Sequence, residues 1–193
     1  MTNIVTDVQA TAQWHGLVKE AESHSGIELD EEVESYLVFL LMRYTQKPEM
    51  AAKVMALEYL RGVQAAGAER QTQMRDVGDQ CLLYSGLFPK RAEQRRVRIS
   101  YYVDLGRSAY HTVAEVTHKA MSQMYLHLAD RFVEMMDTLQ AIRSLQHKDQ
   151  EVLDPIRAFE LWNDTQSKRA RQVLTQTTSS MPVWHDPYNP KKH

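Results

Sequence analysis

The sequence predicts an all-α protein: a single-domain bundle of about six or seven mostly antiparallel helices, followed by an irregular C-terminal tail. Apolar residues recur at helical spacing along most of the chain, while period-two alternations of β-branched residues are few and Asn-Gly or Asp-Gly hairpin pairs are missing. The 7 glycines and 6 prolines include several at places where helices would start or stop. At 193 residues, 43% hydrophobic and 25% charged, the chain suits one sizeable core rather than two. The expected division is a helical domain over residues 1–176 and a tail over residues 177–193.

The first helix is expected from about Thr6 to Ser23, with Val8, Ala12, His15, Val18 and Ala21 along its inner side and Gly26 as its stop. The second opens at "LDEEVESYLVFLLMRYT", where Asp30 is positioned as N-cap and Glu31 and Glu32 suit the positive end of the helix dipole. Its stretch from Tyr36 to Met42 is apolar on every side, which marks it as the buried centre. Pro48 starts a third helix with Val54, Leu57, Leu60 and Val63 as its stripe, paired with the second as an antiparallel hairpin. A fourth, about Glu69 to Ser85, carries Met74, Val77, Cys81 and Tyr84 and stops at Gly86.

After a basic connector, Ser100 is expected to cap a long helical region that bends near Gly106 or breaks near Ser122, giving helices over about 100–120 and 122–146. Asp154 caps the last helix, with Pro155 in its first position, and it runs to about Leu174. The tail, with Trp184 and Tyr188 among three prolines in its final twelve residues, does not read as regular helix.

The net charge of −2 provides no global field for DNA or an anionic membrane. No apolar run is long enough to cross a bilayer, and the N-terminus has no signal-peptide pattern. Cys81, the lone cysteine, forms no disulfide within one chain and sits on an apolar stripe as a core thiol; its solitude suits the cytoplasm, the expected location. The methionine cluster Met121, Met124, Met135 and Met136 reads as core filling.

Charge is uneven. Residues 87–98 hold Lys90, Arg91, Arg95, Arg96 and Arg98 against Glu93, a sum of +4, and residues 20–34 sum to −7 with no Lys or Arg. The two segments are expected to attract one another, within a chain or across a dimer. The basic cluster next to a helix N-terminus suits an anion or an acidic protein surface, because orphan N–H groups and guanidinium groups converge there. Tyr101 and Tyr102 fall on different helix faces, which weakens a base-stacking platform and leaves nucleic-acid regulation as a third reading.

The alternative is a metal site. Asp104, His111, Glu115 and His118 share one face of a helix and are suitable ligands for zinc or another divalent ion. That face points away from the core and a second Glu-x-x-His is missing, so a site there requires a subunit interface rather than a buried di-metal centre. His127, with Asp130 and Glu134 nearby, and His15 read as core-edge histidines. No nucleophile elbow, Gly-rich phosphate loop or dinucleotide fingerprint occurs. The expected function is therefore a non-catalytic interaction or regulatory protein without a cofactor. Its expected partners are a second copy of the chain, as a homodimer, or an acidic protein.

Overall fold

In a computed structural model, residues 2–46, 55–89, 97–146 and 153–177 are described, with side chains from residue 9 onward. All regular structure among them is helical. In chain order the helices are α1 (Thr2–Ser25), α2 (Glu31–Gln46), α3 (Met55–Gln64), α4 (Gly67–Gly86), α5 (Ile99–Val116), α6 (Lys119–Asp130), α7 (Phe132–Gln146), α8 (Pro155–Thr165) and α9 (Lys168–Thr177). The all-α expectation holds. The count of six or seven does not: nine helices are present among the described residues.

The breaks that the sequence did not place occur without Gly or Pro. Thr117 and His118 turn extended and end α5 at Val116, so the boundary lies between the two places where a bend was expected. Arg131 interrupts α6 and α7 for one residue, while Arg131 N–H to His127 O and Met135 N–H to Arg131 O carry helical hydrogen bonding through the kink. Gln166 enters the left-handed region at φ 60°, separating α8 from α9, and its side-chain amide donates to the Trp162 carbonyl over 3.1 Å.

The helix ends written into the sequence are also present. Gly26, at φ 64°, terminates α1. Asp30 caps α2 by accepting from the Val33 N–H at 3.2 Å, and Asp154 caps α8 by accepting from Ile156 at 3.3 Å. Ser100 is not a cap: Arg98 takes that position without a side-chain hydrogen bond, and Ser100 lies in the first turn.

One continuous core runs from Val18 in α1 to Leu174 in α9. Its centre is α4, not α2. Every residue of α4 from Val77 to Gly86 is buried, and α3, α5 and α7 pack around it. In α2 the supposed all-round apolar stretch has an outside, because Phe39 is 61% exposed. Two glycines let helices approach α4. A Cβ on Gly106 would lie 2.5 Å from the Phe132 ring and 2.9 Å from Cys81, and one on Gly78 would lie 2.4 Å from the Tyr110 ring. Gly106 therefore marks a close approach between helices, where the sequence suggested a bend.

The expected α2–α3 hairpin is not formed: α3 packs on α4, while α2 packs on α1 and α6. The stripe assigned to α3 turns outward as well, with Leu57, Leu60 and Val63 exposed; Val54 lies outside the described residues. The cause is local. Met55 and Gly62 form the inner face, and Gly62 admits the Met74 side chain so closely that a Cβ there would sit 2.4 Å from its sulfur. In α1, Val18 and Ala21 are buried as expected, whereas Ala12 and His15 are exposed.

Long-range polar contacts fasten α9, the last of the described helices. Ser167 caps α9 by accepting from the Ala170 N–H at 3.0 Å, and donates in turn to the buried Asp137 of α7 at 2.6 Å. Gln172 of α9 donates to the Ser25 carbonyl at the end of α1 over 2.8 Å. Among the described residues no helix is long and apolar enough to cross a membrane. The expected tail, with Trp184 and Tyr188, lies beyond the described residues.

Candidate functional site

Of the basic cluster, Arg98 falls within the described residues; Lys90, Arg91, Arg95 and Arg96 lie outside them. Arg98 precedes the first turn of α5 in extended geometry, so its side chain leaves the uncapped end of that helix. There it lines a cleft of about 240 Å³ between α5 and α8, together with Ser100, Arg157, Glu160 and Asp164, over Val97, Ile99 and Leu161. The Arg98 guanidinium is 3.7 Å from Asp164 Oδ2 and 3.8 Å from Glu160 Oε1, and its side chain is 68% exposed. These are ion pairs beyond hydrogen-bond length. Ser100 Oγ meets Asp164 Oδ2 more tightly, donating at 2.9 Å.

Arg98 thus takes its counter-charge from α8, not from the acidic segment at residues 20–34. That segment is engaged elsewhere. Lys19 Nζ lies 2.5 Å from Glu34 and 3.1 Å from Glu22, and these hydrogen bonds raise its pKa. His15 Nε2 reaches Glu34 Oε1 at 2.6 Å. Asp30 meets His127 Nε2 at 2.7 Å, with Arg131 at 3.9 Å. Burial acts to raise the Asp30 pKa, but the hydrogen bonds from His127 and the Val33 N–H outweigh it and hold the carboxyl below its ordinary value. His127 therefore has a carboxylate partner, supplied by Asp30 of the α2 cap rather than by Asp130 or Glu134.

Asp104, His111 and Glu115 occupy the exposed side of α5, within a sector of roughly 40° at about 100° per residue. His118 leaves the set, because the break at Thr117 makes it the residue preceding α6. Among the described residues no three His, Cys, Asp or Glu side chains gather to hold a metal ion. Asp104 responds instead to the cleft side: burial raises its pKa, Arg107 opposes this, and the charge of Asp164 adds to it.

Two buried acids were not singled out from the sequence. Asp79, 0% exposed in α4, accepts from Tyr36 Oη at 2.5 Å and Tyr110 Oη at 2.8 Å on Oδ1, and from the Arg43 guanidinium on Oδ2. The rings of Tyr36, Tyr110 and Tyr125 meet at 5.9 to 6.3 Å, and burial is the largest effect raising each phenol's pKa. The carboxylate thereby ties α2, α4 and α5 to one point. It is sealed from solvent, so it serves as an anchor rather than as an open acid or base. Asp79 lies about 200° around the helix from Val77, on the side that apolar spacing reads as outward. Its burial follows from α4 being enclosed by other helices, which the local pattern does not show.

Asp137 is the second. Burial raises its pKa to about 6, against the hydrogen bonds from Ser167 and the Arg169 N–H that favour its ionised form. Arg169 donates to Ser144 Oγ at 2.6 Å, and burial lowers its own pKa. Cys81 is fully buried and burial pushes its thiol up, in keeping with a core thiol. Met135 and Met136 are likewise core, whereas Met121 is exposed. Compared with protein-family models, curated proteins and solved structures, the chain has no significant match.

Proposed function

We propose that the chain is a non-catalytic interaction or regulatory protein that binds an acidic protein surface or an anionic ligand at the start of α5, through Arg98 together with Lys90, Arg91, Arg95 and Arg96. The supporting observation is the state of Arg98. It stands at an uncapped helix N-terminus, two-thirds exposed, with Asp164 and Glu160 at 3.7 and 3.8 Å. Orphan N–H groups and the helix dipole favour an anion at this end. A carboxylate or phosphate oxygen forming a direct, charge-assisted hydrogen bond to the guanidinium would improve on either present contact. Arg157 lines the same cleft.

Two probes test this by amide NMR at low and high ionic strength: inorganic phosphate and a glutamate-rich peptide. Shifts at Ile99 to Tyr102 with both probes indicate anion binding, and shifts with the peptide alone indicate an acidic protein surface. Either response should fall with salt and weaken several-fold in Arg98→Ala and in Arg95→Ala/Arg96→Ala. Silence at low salt, or shifts indifferent to these substitutions, would refute the proposal.

A further inference from the structure

The cleft between α5 and α8 is lined by two guanidinium groups, Arg98 and Arg157, and by two carboxylates, Glu160 and Asp164. A bare anion entering it therefore meets acids as well as cations. The Arg98 guanidinium stands 3.8 Å from Glu160 Oε1 and 3.7 Å from Asp164 Oδ2, so both acids face it. An anion that draws this guanidinium onto itself loosens both contacts and sets a third negative group beside the two carboxylates. Asp164 would keep the Ser100 hydroxyl at 2.9 Å, but a hydroxyl brings no charge. A ligand that carries a cation next to its anion avoids this cost, because its cation takes the place of the guanidinium beside the two acids.

We propose that the cleft takes a small zwitterion with an apolar body, of the chemistry of a free α-amino acid with an aliphatic side chain. This rests on the reading of Arg98 as an anion contact and adds what must accompany the anion. The α-carboxylate meets the Arg98 guanidinium at the uncapped start of α5. The α-ammonium lies against Glu160 and Asp164, which α8 presents as neighbours one turn apart. An α-amino acid carries both charges on one carbon, which suits a cation and two acids already at 3.7 and 3.8 Å. Val97, Ile99 and Leu161 form the floor, where an aliphatic side chain is covered from water. At about 240 Å³ the cleft is smaller than the pockets that take drug-sized ligands, so it suits one residue-sized molecule. Its charged groups face water, so binding is weak.

Amide NMR titrations of the full chain at constant ionic strength, with millimolar leucine, N-acetyl-leucine, leucinamide and inorganic phosphate, separate the parts. N-acetyl-leucine keeps the anion alone, as a peptide C-terminus would, and leucinamide keeps the cation alone, as a peptide N-terminus would. Leucine is expected to shift Ile99 to Tyr102 and Glu160 to Asp164 together. It should bind several-fold more tightly than either derivative, and roughly tenfold more tightly than glycine. Arg98→Ala should weaken leucine and N-acetyl-leucine alike. Asp164→Asn should weaken leucine several-fold and spare N-acetyl-leucine, and Glu160→Gln provides the same comparison if Asp164→Asn misfolds. Phosphate or N-acetyl-leucine binding as tightly as leucine, and still through Arg98, would overturn the zwitterion and leave the anion reading standing. Leucinamide binding as tightly as leucine would overturn it too, by assigning the cleft to a cation. Silence towards leucine would also overturn it, and silence towards phosphate as well would remove the anion reading with it.

Discussion

Asp79 shows how much one side chain governs when its partners come from different helices. Its carboxylate receives two phenols and a guanidinium, and Asp79→Ala would leave these donors around an empty space in the core. Removing one member of a buried, hydrogen-bonded charge set costs about 3 to 5 kcal/mol. Tyr110→Phe takes one donor and keeps the ring, and should cost about 1 to 3 kcal/mol. Urea unfolding of both variants checks this. A loss below about 1 kcal/mol for Asp79→Ala would mean that the carboxylate is not the anchor described. Residues whose role depends on a neighbour a few positions away, such as Asp30 and Asp154 as caps, were legible from spacing. Asp79 was not, because its partners Tyr36, Arg43 and Tyr110 converge from two other helices.

At the scale of the element, helix ends carrying Gly, Pro or Asp could be read directly, and those at Thr117, Arg131 and Gln166 could not. These three residues lack a strong intrinsic preference for a break, so tertiary packing decides the outcome. Outward faces were misjudged for a related reason. Apolar spacing identifies a stripe but does not say which of two stripes the neighbours will cover, and in α3 the small side with Gly62 allowed the closer approach. Glycine substitutions separate the two demands that packing and helix propensity make. Gly106→Ala forces a methyl to within 2.5 Å of Phe132 and should destabilise by about 1 to 3 kcal/mol despite its better helix propensity. Gly16→Ala meets nothing within 4 Å in α1 and should stabilise by about 0.5 to 1 kcal/mol. Melting temperatures that move in opposite directions are the expected result.

For the whole molecule, the all-α class and a single core were evident from periodicity and length, whereas the pairing of charges was not. Segment sums suggested that the acidic and basic stretches meet. In the fold the acidic stretch is held by Lys19, His15, His127 and Arg131, and Arg98 turns to α8. Proximity between unlike charges depends on topology, which sums along a chain do not contain. The pH dependence of global stability is where Asp137 acts. Its pKa rises from 3.8 to about 6 on folding, so the folded state binds the proton more tightly. Ionisation then opposes folding fully above pH 6, and the penalty is relieved as pH falls towards 4. The difference is roughly 3 kcal/mol. Relative to Asp137→Asn, the native chain should gain stability between pH 7 and pH 5, with the Asp137 carboxyl titrating near 6 by NMR. A midpoint near 4 would remove the effect.

The hydrogen bond from Gln172 to the Ser25 carbonyl joins residues 147 positions apart, and Asp137 waits across 30 positions for Ser167. During synthesis Ser25 is therefore made long before Gln172, and Asp137 before Ser167. A nascent chain released from the ribosome before α9 has emerged would hold an unsatisfied carbonyl at the end of α1 and an uncovered acid on α7. Among the described helices α9 is thus the one that completes the packing, and a chain cut before Ser167 should be recognised by cellular proteases as unfinished.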